Sequence, residues 1–378
     1  MDFINKANQT ASVKKELDID CYVIISTQNQ IVNYLPYVLY KDKIKTIYNI
    51  TISDSEKNQK WDNNLKNVLT ENIKNISFKA GEYGNIDTVI SKLKSEISPN
   101  AKILWNITGG QKAFLLAVNS LANERTNDFI GYVEGNADKF LIYQNNRSFK
   151  EDSTNVLNQF TIASALNLMG FSQINPEQVV ENLIPLYEEI YNKYISDEPF
   201  RVKLRSLKKV ADLNSMDFGI NNCKEHFQTL KPDANQALLG KIFEEMVFYY
   251  LKKHLNQKLL EIAFGVKIKF FEEQYNIPID EFDTLILSTS GQLINIECKS
   301  GSTHKEDMKS HHYSTLVTSG IYGLPILATP LLQSEIDLND KRNDSISELL
   351  NTVKSAKRAG VTVVPIDKLL EIIKSIIH

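Results

Sequence analysis

The chain has 378 residues, 42% of them hydrophobic, and a net charge of −3 from 43 Lys+Arg against 46 Asp+Glu. That length suits two ordinary domains and a connector, and the near-neutral balance excludes a global basic field, so nucleic-acid binding would rest on local groups. No signal-like opening or membrane-length apolar run is present, and Cys21, Cys223 and Cys298 are too far apart for a metal pattern, so the expectation is a cytoplasmic protein with no membrane partner.

In chain order, Asp20-Cys-Tyr-Val-Ile-Ile-Ser-Thr-Gln-Asn reads as a short buried strand ending in a polar loop. A helical segment over 33–40 and a second strand over 44–52 follow. Residues 102–117, KILWNITGGQKAFLLA, read as a strand, a Gly-Gly turn and a helix start. Strands alternating with helices predict a mostly parallel sheet with ligand binding at the strands' carboxyl ends. There the Gly109-Gly110 backbone can approach a phosphate, and Thr108, Gln111 and Lys112 offer donors. Such a turn also serves backbone geometry alone, and the chain shows neither a GxGxxG fingerprint nor a P-loop.

Residues 151–232 change character. Helical periodicity over 156–168 and 176–194 predicts a structured helical connector, with a polar stretch over 222–235. Arg201, Lys203, Arg205, Lys208 and Lys209 are either a basic contact for nucleic acid or a solvated helix face. Within the remainder, 233–378, residues 240–251, GKIFEEMVFYYL, read as a helix with Phe243, Met246, Val247 and Tyr250 on one stripe. Glu244 falls at the edge of that stripe; Glu245 points toward water.

An antiparallel hairpin follows, with Leu285, Ile286 and Leu287 on one strand and Leu293, Ile294 and Ile296 on the other. A turn centred near Ser290 places Asp283 across from Glu297, with facing Cβ atoms roughly 5 Å apart. Glu297 and Lys299 share a face, and Cys298 points away. Like charges directly opposite destabilise a sheet, so something must offset them. A divalent cation is the natural partner, since Mg²⁺ and Mn²⁺ take carboxylate oxygens and activate water at a phosphodiester, and Lys299 suits the charge developing on phosphate. The bland reading is a surface hairpin of solvated pairs. Helices over 307–318, 346–359 and 368–377 and strands over 325–330 and 361–364 complete an α/β core, and His304, Lys305, Lys309, His311 and His312 are local basic candidates beside the hairpin.

The order helix-Glu, strand-Asp, strand-Glu-x-Lys, carried by Glu244, Asp283, Glu297 and Lys299, resembles the PD-(D/E)xK nuclease superfamily. Pro278 lies five residues before Asp283, displaced from the usual position. The segments "GKIFEEMVFYYL", "DEFDTLIL" and "LINIECKSG" resemble the nuclease half of CRISPR-associated effectors. In the first half, "ISTQNQIVNYLPYVL", "TISDSEKN" and "NITGGQKAFLLA" resemble CRISPR-associated Rossmann-fold (CARF) domains, sensors of cyclic oligoadenylates.

The resemblance implies an α/β fold: a CARF sensor over 1–150, a helical connector over 151–232 and a PD-(D/E)xK domain over 233–378. It implies a type III CRISPR antiviral nuclease activated by a cyclic oligoadenylate, with cyclic tetra-adenylate the expected ring. Single-stranded RNA, single-stranded DNA and plasmid DNA are all open as substrates. The implied ligand residues are Ser26, Thr27, Gln28, Asn33, Ser53, Asn106, Thr108, Gly109, Gly110, Gln111 and Lys112. Read from the residues alone, Asn33 equally suits a helix cap and Asn106 a buried structural amide. The implied catalytic set is Glu244, Asp283, Glu297 and Lys299, with Mg²⁺ or Mn²⁺ held by Glu244, Asp283, Glu297 and the Cys298 carbonyl, in a homodimer. Glu281 competes for a ligand role or pairs with Lys299. A ligand-sensing regulator with an inert nuclease fold and an activator-independent restriction-type enzyme are the rival readings.

Overall fold

The computed structural model describes residues 16–377 apart from 70, 136–138, 154–159, 233–235, 256–258, 302–304 and 340–343. The first half alternates β1 (Cys21–Ile25), α1 (Ile31–Tyr40), β2 (Thr46–Ile52), α2 (Glu56–Lys66), β3 (Ile73–Phe78), α3 (Ile86–Glu96), β4 (Ile103–Asn106), α4 (Lys112–Glu124) and β5 (Phe129–Glu134). A meander of β6 (Lys139–Gln144) and β7 (Arg147–Ser153) follows. These strands form one sheet in the order β3-β2-β1-β4-β5-β6-β7. The first five are parallel and the last two antiparallel. All five residues of β1 are buried, as a strand covered on both faces requires. The strand order reverses between β1 and β4, which opens a crevice at their carboxyl ends.

The chain continues through α5 (Ile162–Leu168), β8 (Phe171–Ile174), α6 (Leu183–Ser196), α7 (Glu198–Arg205) and α8 (Cys223–Thr229). Then come α9 (Leu238–Leu255), β9 (Leu259–Phe270), β10 (Asp280–Ser288), β11 (Leu293–Cys298), α10 (Lys305–Ser319) and β12 (Leu324–Thr329). Last are α11 (Gln333–Leu338), α12 (Asp344–Arg358), β13 (Thr362–Pro365) and α13 (Leu369–Ile376). The second sheet runs β13-β12-β11-β10-β9-β8. The stretch expected to be a helical connector thus supplies an edge strand: β8 pairs antiparallel with β9, its Phe171 and Ile174 buried. Four residues are too few to announce a period. The polar stretch after 222 is also not plain connector, because α8 buries Cys223 and Phe227 there.

Two apolar clusters position the hairpin. In one, Phe243 and Val247 of α9 pack with Ile286, Ile294 and Ile296, under the connector tyrosines Tyr187, Tyr191 and Tyr194. The other crosses the molecule: Ile31 and Leu35 of α1 and Ile162 and Leu166 of α5 share a core with Leu285, Leu287 and Leu293. Against Ile31 and Leu35 of this cluster lies Gly291, in the hairpin turn, with φ +78°. A Cβ there would stand 2.6 Å from Leu35 Cδ1, so only glycine lets the turn rest against α1.

Two expectations change. Arg201 and Arg205 are neither solvated nor free for nucleic acid. Arg201 is buried and donates to the Tyr194 carbonyl at 2.9 Å, and Arg205 forms a two-pronged pair with Glu335 at 2.7 Å that ties α7 to α11. Glu245 does not face water either; it is as buried as Glu244. Its carboxylate accepts from the Tyr187 hydroxyl at 2.7 Å and lies 2.9 Å from His226 Nε2. Helices α6 and α8 cover the side of α9 that an isolated amphipathic helix would leave wet.

Glu245→Ala is therefore expected to destabilise the fold by about 1–3 kcal/mol, the cost of stranding buried donors. Denaturant midpoints measure it; an unchanged midpoint would show that the carboxylate is solvated.

Candidate functional site

The β10–β11 register fixes the geometry. Thr284 pairs with Ile296 and Leu285 with Asn295, so one step further places Asp283 opposite Glu297. Both carboxylates are partly buried. The Cys298 amide donates to Asp283 Oδ2 at 2.7 Å. Lys299 Nζ makes an ion pair with Glu297 Oε1. Glu281 does not join them: it pairs with Lys267 across β9 at 3.4 Å, which removes it as Lys299's partner.

Charge crowding shows in the proton affinities. Burial, then the charges of Glu297 and Glu244, push the Asp283 carboxyl well above the ordinary range, against Lys299 and the Cys298 amide. Burial works to lower the Lys299 ammonium's pKa, but the charges of Glu297 and Asp283 outweigh it and leave the value raised. Lys299 is thus cationic at neutral pH. The Cys298 thiol is pushed far up by burial and the same carboxylates, so its sulfur is no thiolate ligand.

Glu244 reaches the group from α9, which packs on the face of Ile294, Ile296 and Cys298. Its carboxylate accepts from the Gln236 amide and stands 3.4 Å from Lys241 Nζ. Burial raises its pKa and Lys241 opposes the rise. On the other side a cleft of about 270 Å³ is lined by Glu297, Lys299, Asp280, Asp307, Ser310 and Ser314, among others. His311 also lines it. Expected as a local basic group beside the hairpin, His311 is buried: Nε2 faces the Ile326 carbonyl at 3.1 Å, so it carries the proton, and Nδ1 lies 3.9 Å from Glu297 Oε2. Of its companions, Lys309 is exposed and His312 half-buried. His304 and the side chain of Lys305 lie outside the described residues.

The donor set suits a hard divalent ion: carboxylate oxygens, two of them facing, with a proton affinity at Asp283 that reports uncompensated repulsion. Among the described residues, however, no three His, Cys, Asp or Glu side chains already converge on one point. Glu244 and Glu297 each hold an ammonium, and Asp283 an amide.

At the β1/β4 crevice the expected ligand residues divide in two. Asn106, Asn33 and Thr108 lie behind it as braces. Asn106 Nδ2 donates to Tyr22 Oη, the Val32 carbonyl and Asn33 Oδ1 at 2.9–3.1 Å, and its Oδ1 accepts from the Thr108 hydroxyl at 2.6 Å. Asn33 Nδ2 in turn donates to the Ile25 carbonyl at 3.0 Å, and Thr108 Oγ1 accepts from the Val133 amide at 2.8 Å. Those groups are committed within the fold, and the three side chains tie the β1 and β4 loops together. The rest line the crevice edge. Thr27 is partly exposed, and Gln28, Ser53, Gly110 and Lys112 are exposed. The backbone at Gly109 approaches Thr27. Gly110 has φ +99° and sits where a Cβ would fall 2.0 Å from Ile25 Cγ2, which brings the two loops together. Gln111 makes no cap bond to α4, leaving its first amides for an anion. The Ser26 hydroxyl and Gln111 Oε1 are buried without a hydrogen-bond partner.

No family model and no curated protein matches the sequence. Solved structures do match over nearly the whole chain. A protein from Vibrio cholerae, VC1899, is 15% identical with a TM-score of 0.66, covering 94% of this chain and 96% of its own. Can2 from Sulfobacillus thermosulfidooxidans, solved in complex with cyclic tetra-adenylate, is 17% identical with a TM-score of 0.65, covering 95% and 99%. A type III CRISPR defence DNA nuclease activated by cyclic oligoadenylate is 14% identical with a TM-score of 0.51, and the match covers 83% of this chain and 46% of that one. The likeness is one of fold: a Rossmann-like domain followed by a second α/β domain.

The raised Asp283 pKa has a signed consequence. A carboxyl whose folded value lies above its unfolded value weakens the fold as pH rises above about 4. Asp283→Asn should therefore raise the melting temperature at pH 7–8, with the gain shrinking toward pH 4. A variant that is less stable at pH 8 would show that the carboxylate is already compensated.

Proposed function

We propose that this chain is a metal-dependent nuclease of the PD-(D/E)xK type, switched on by a cyclic oligoadenylate in type III CRISPR antiviral defence. The observation that carries the reading is the register that sets Asp283 opposite Glu297 with Lys299 beside them. Asp283, Glu297, Glu244 and the Cys298 carbonyl would hold Mg²⁺ or Mn²⁺. Such an ion supplies charge neutralisation at a phosphodiester and a more acidic water.

Lys299 remains an ammonium, held by Glu297, so its part is electrostatic: it steadies negative charge on the phosphoryl oxygens or orients a water, and it is not the general base. Glu297 holds that ammonium in place. Buried His311 donates Nε2–H to the Ile326 carbonyl and presents Nδ1 to the Asn295 amide at 3.5 Å.

In the first half, the free amides of α4, Lys112 and the unpartnered Gln111 and Ser26 groups would hold the activator's phosphates and riboses, with Thr27, Gln28 and Ser53 at the edge. A cyclic, pseudo-symmetric ligand suits a pocket shared by two chains about a two-fold axis, so the active form is a homodimer. Can2's cyclic tetra-adenylate makes that ring the first choice.

Cleavage of labelled single-stranded RNA, single-stranded DNA and supercoiled plasmid should require both Mn²⁺ and cyclic tetra-adenylate. Lys299→Ala should lower kcat by about 100-fold or more with activator binding intact. Lys112→Ala should raise the half-activating concentration about tenfold with kcat preserved. Cutting without activator, or none under any condition, would refute the reading.

A further inference from the structure

One ammonium beside the site has no role in the reading above. Lys241 lies one turn before Glu244 on α9, and its side chain is only 19% exposed. Its Nζ stands over the Phe264 ring, 4.6 Å from the centroid. Two carboxylates are within reach, Glu244 Oε2 at 3.4 Å and Glu177 Oε1 at 3.8 Å. Neither contact has closed to the roughly 2.7–2.9 Å of a charge-assisted hydrogen bond. Lys299, by contrast, is closed on Glu297. A lysine that served only to neutralise Glu244 would close on it in the same way; Lys241 stands between two seats.

The second seat is built into the fold. Glu177 lies between β8 and α6, and its carboxyl carbon would be 2.8 Å from a Cβ at residue 265. Gly265, at φ +56°, leaves that space. Phe282 pairs with Val266 and Thr284 with Phe264, so Gly265 lies opposite Asp283. Glu177 therefore rests on the strand that flanks the facing carboxylates. Its side chain is 41% exposed, against 10% for Glu244, so the two seats differ in their access to water.

For Glu244 to give an oxygen to a divalent ion, the ammonium must withdraw, because two cations on one carboxylate repel. Leaving that ammonium buried with no partner would be costly as well. A carboxylate already 3.8 Å away removes that cost.

Resting on the nuclease reading above, we propose that Lys241 is a positioning residue, holding Glu244 in the metal-free protein and passing to Glu177 when a divalent cation binds. Metal uptake at Glu244 is then an exchange of one positive charge for another, and Glu177 helps set its affinity without touching the ion.

The test is calorimetric titration of Mn²⁺ into the full-length protein at pH 8, comparing wild type, Lys241→Met, Glu177→Gln and the double variant. Lys241→Met keeps an unbranched stem on Phe264 and removes the charge, and it should bind Mn²⁺ about tenfold more tightly. Glu177→Gln should bind it about threefold more weakly. In the double variant the Glu177 substitution should change nothing further, since the group it receives is gone. A Glu177→Gln loss that persists in the double variant would mark a plain field effect and overturn the proposal. Unchanged or weaker binding by folded Lys241→Met would overturn it too. Should Lys241→Met fail to fold, Glu177→Gln decides alone, and wild-type affinity in that variant sinks the exchange. No Mn²⁺ binding by any of the four proteins would instead fell the nuclease reading, and this proposal with it.

Discussion

Two carboxylates face each other across a β-hairpin, and much of the molecule is arranged around that repulsion. Asp283 and Glu297 would push strands β10 and β11 apart if nothing answered them. The answers are local: the Cys298 amide on Asp283 and the Lys299 ammonium on Glu297. They are incomplete, since Asp283 still sits well above its ordinary pKa. Hydrophobic packing on both faces of the hairpin keeps the strands paired regardless. Ile294 and Ile296 are locked under α9, and Leu285, Leu287 and Leu293 under α1 and α5. A fold that spends core packing to hold unfavourable charge in place is what a cation-dependent centre requires.

The same packing joins the two halves. The loop after β1 forms one wall of the crevice and leads straight into α1. Helix α1 rests on Gly291, the turn of the charged hairpin. Asn29, which receives the Ile31 amide at the start of α1, also lies against Gly320 at the end of α10. The hairpin is thus in contact with α1, and the end of α10 with the loop that leads into it. The contacts are close enough that a Cβ at either glycine would clash, so α1 and the loop before it each rest directly on what they touch. A ligand that favours one setting of α1 would bias the hairpin by the difference in its affinity for the two settings, and by no more.

The sequence displays some of this and conceals the rest for physical reasons. Apolar runs on either side of a Ser-Gly turn, with the turn centred near Ser290, were enough to set the hairpin register. The Gly-Gly turn after a buried strand located the crevice for the same kind of reason. Residue type could not tell a ligand contact from a brace, and Asn33, Asn106 and Thr108 spend their polar groups on the fold. Each is a small polar side chain that serves either purpose. Glu245 was misread because the groups that cover it, Tyr187 and His226, lie 58 and 19 residues away and leave no mark on the helix's own periodicity. His311 was read as a local basic candidate beside the hairpin, and nothing local shows that α10 turns it inward. Strand β8 is too short to register at all.

The central claim is that the facing pair is a divalent-cation site. Calorimetric titration of Mn²⁺ into the full-length protein, beside Asp283→Asn and Glu297→Gln, tests it without depending on any substrate. Binding by the wild type and a loss of tenfold or more in each variant is the expected result. Equal affinity in all three proteins, or no binding by the wild type, would contradict the account and leave Asp283 and Glu297 as an ordinary, strained pair on a core hairpin.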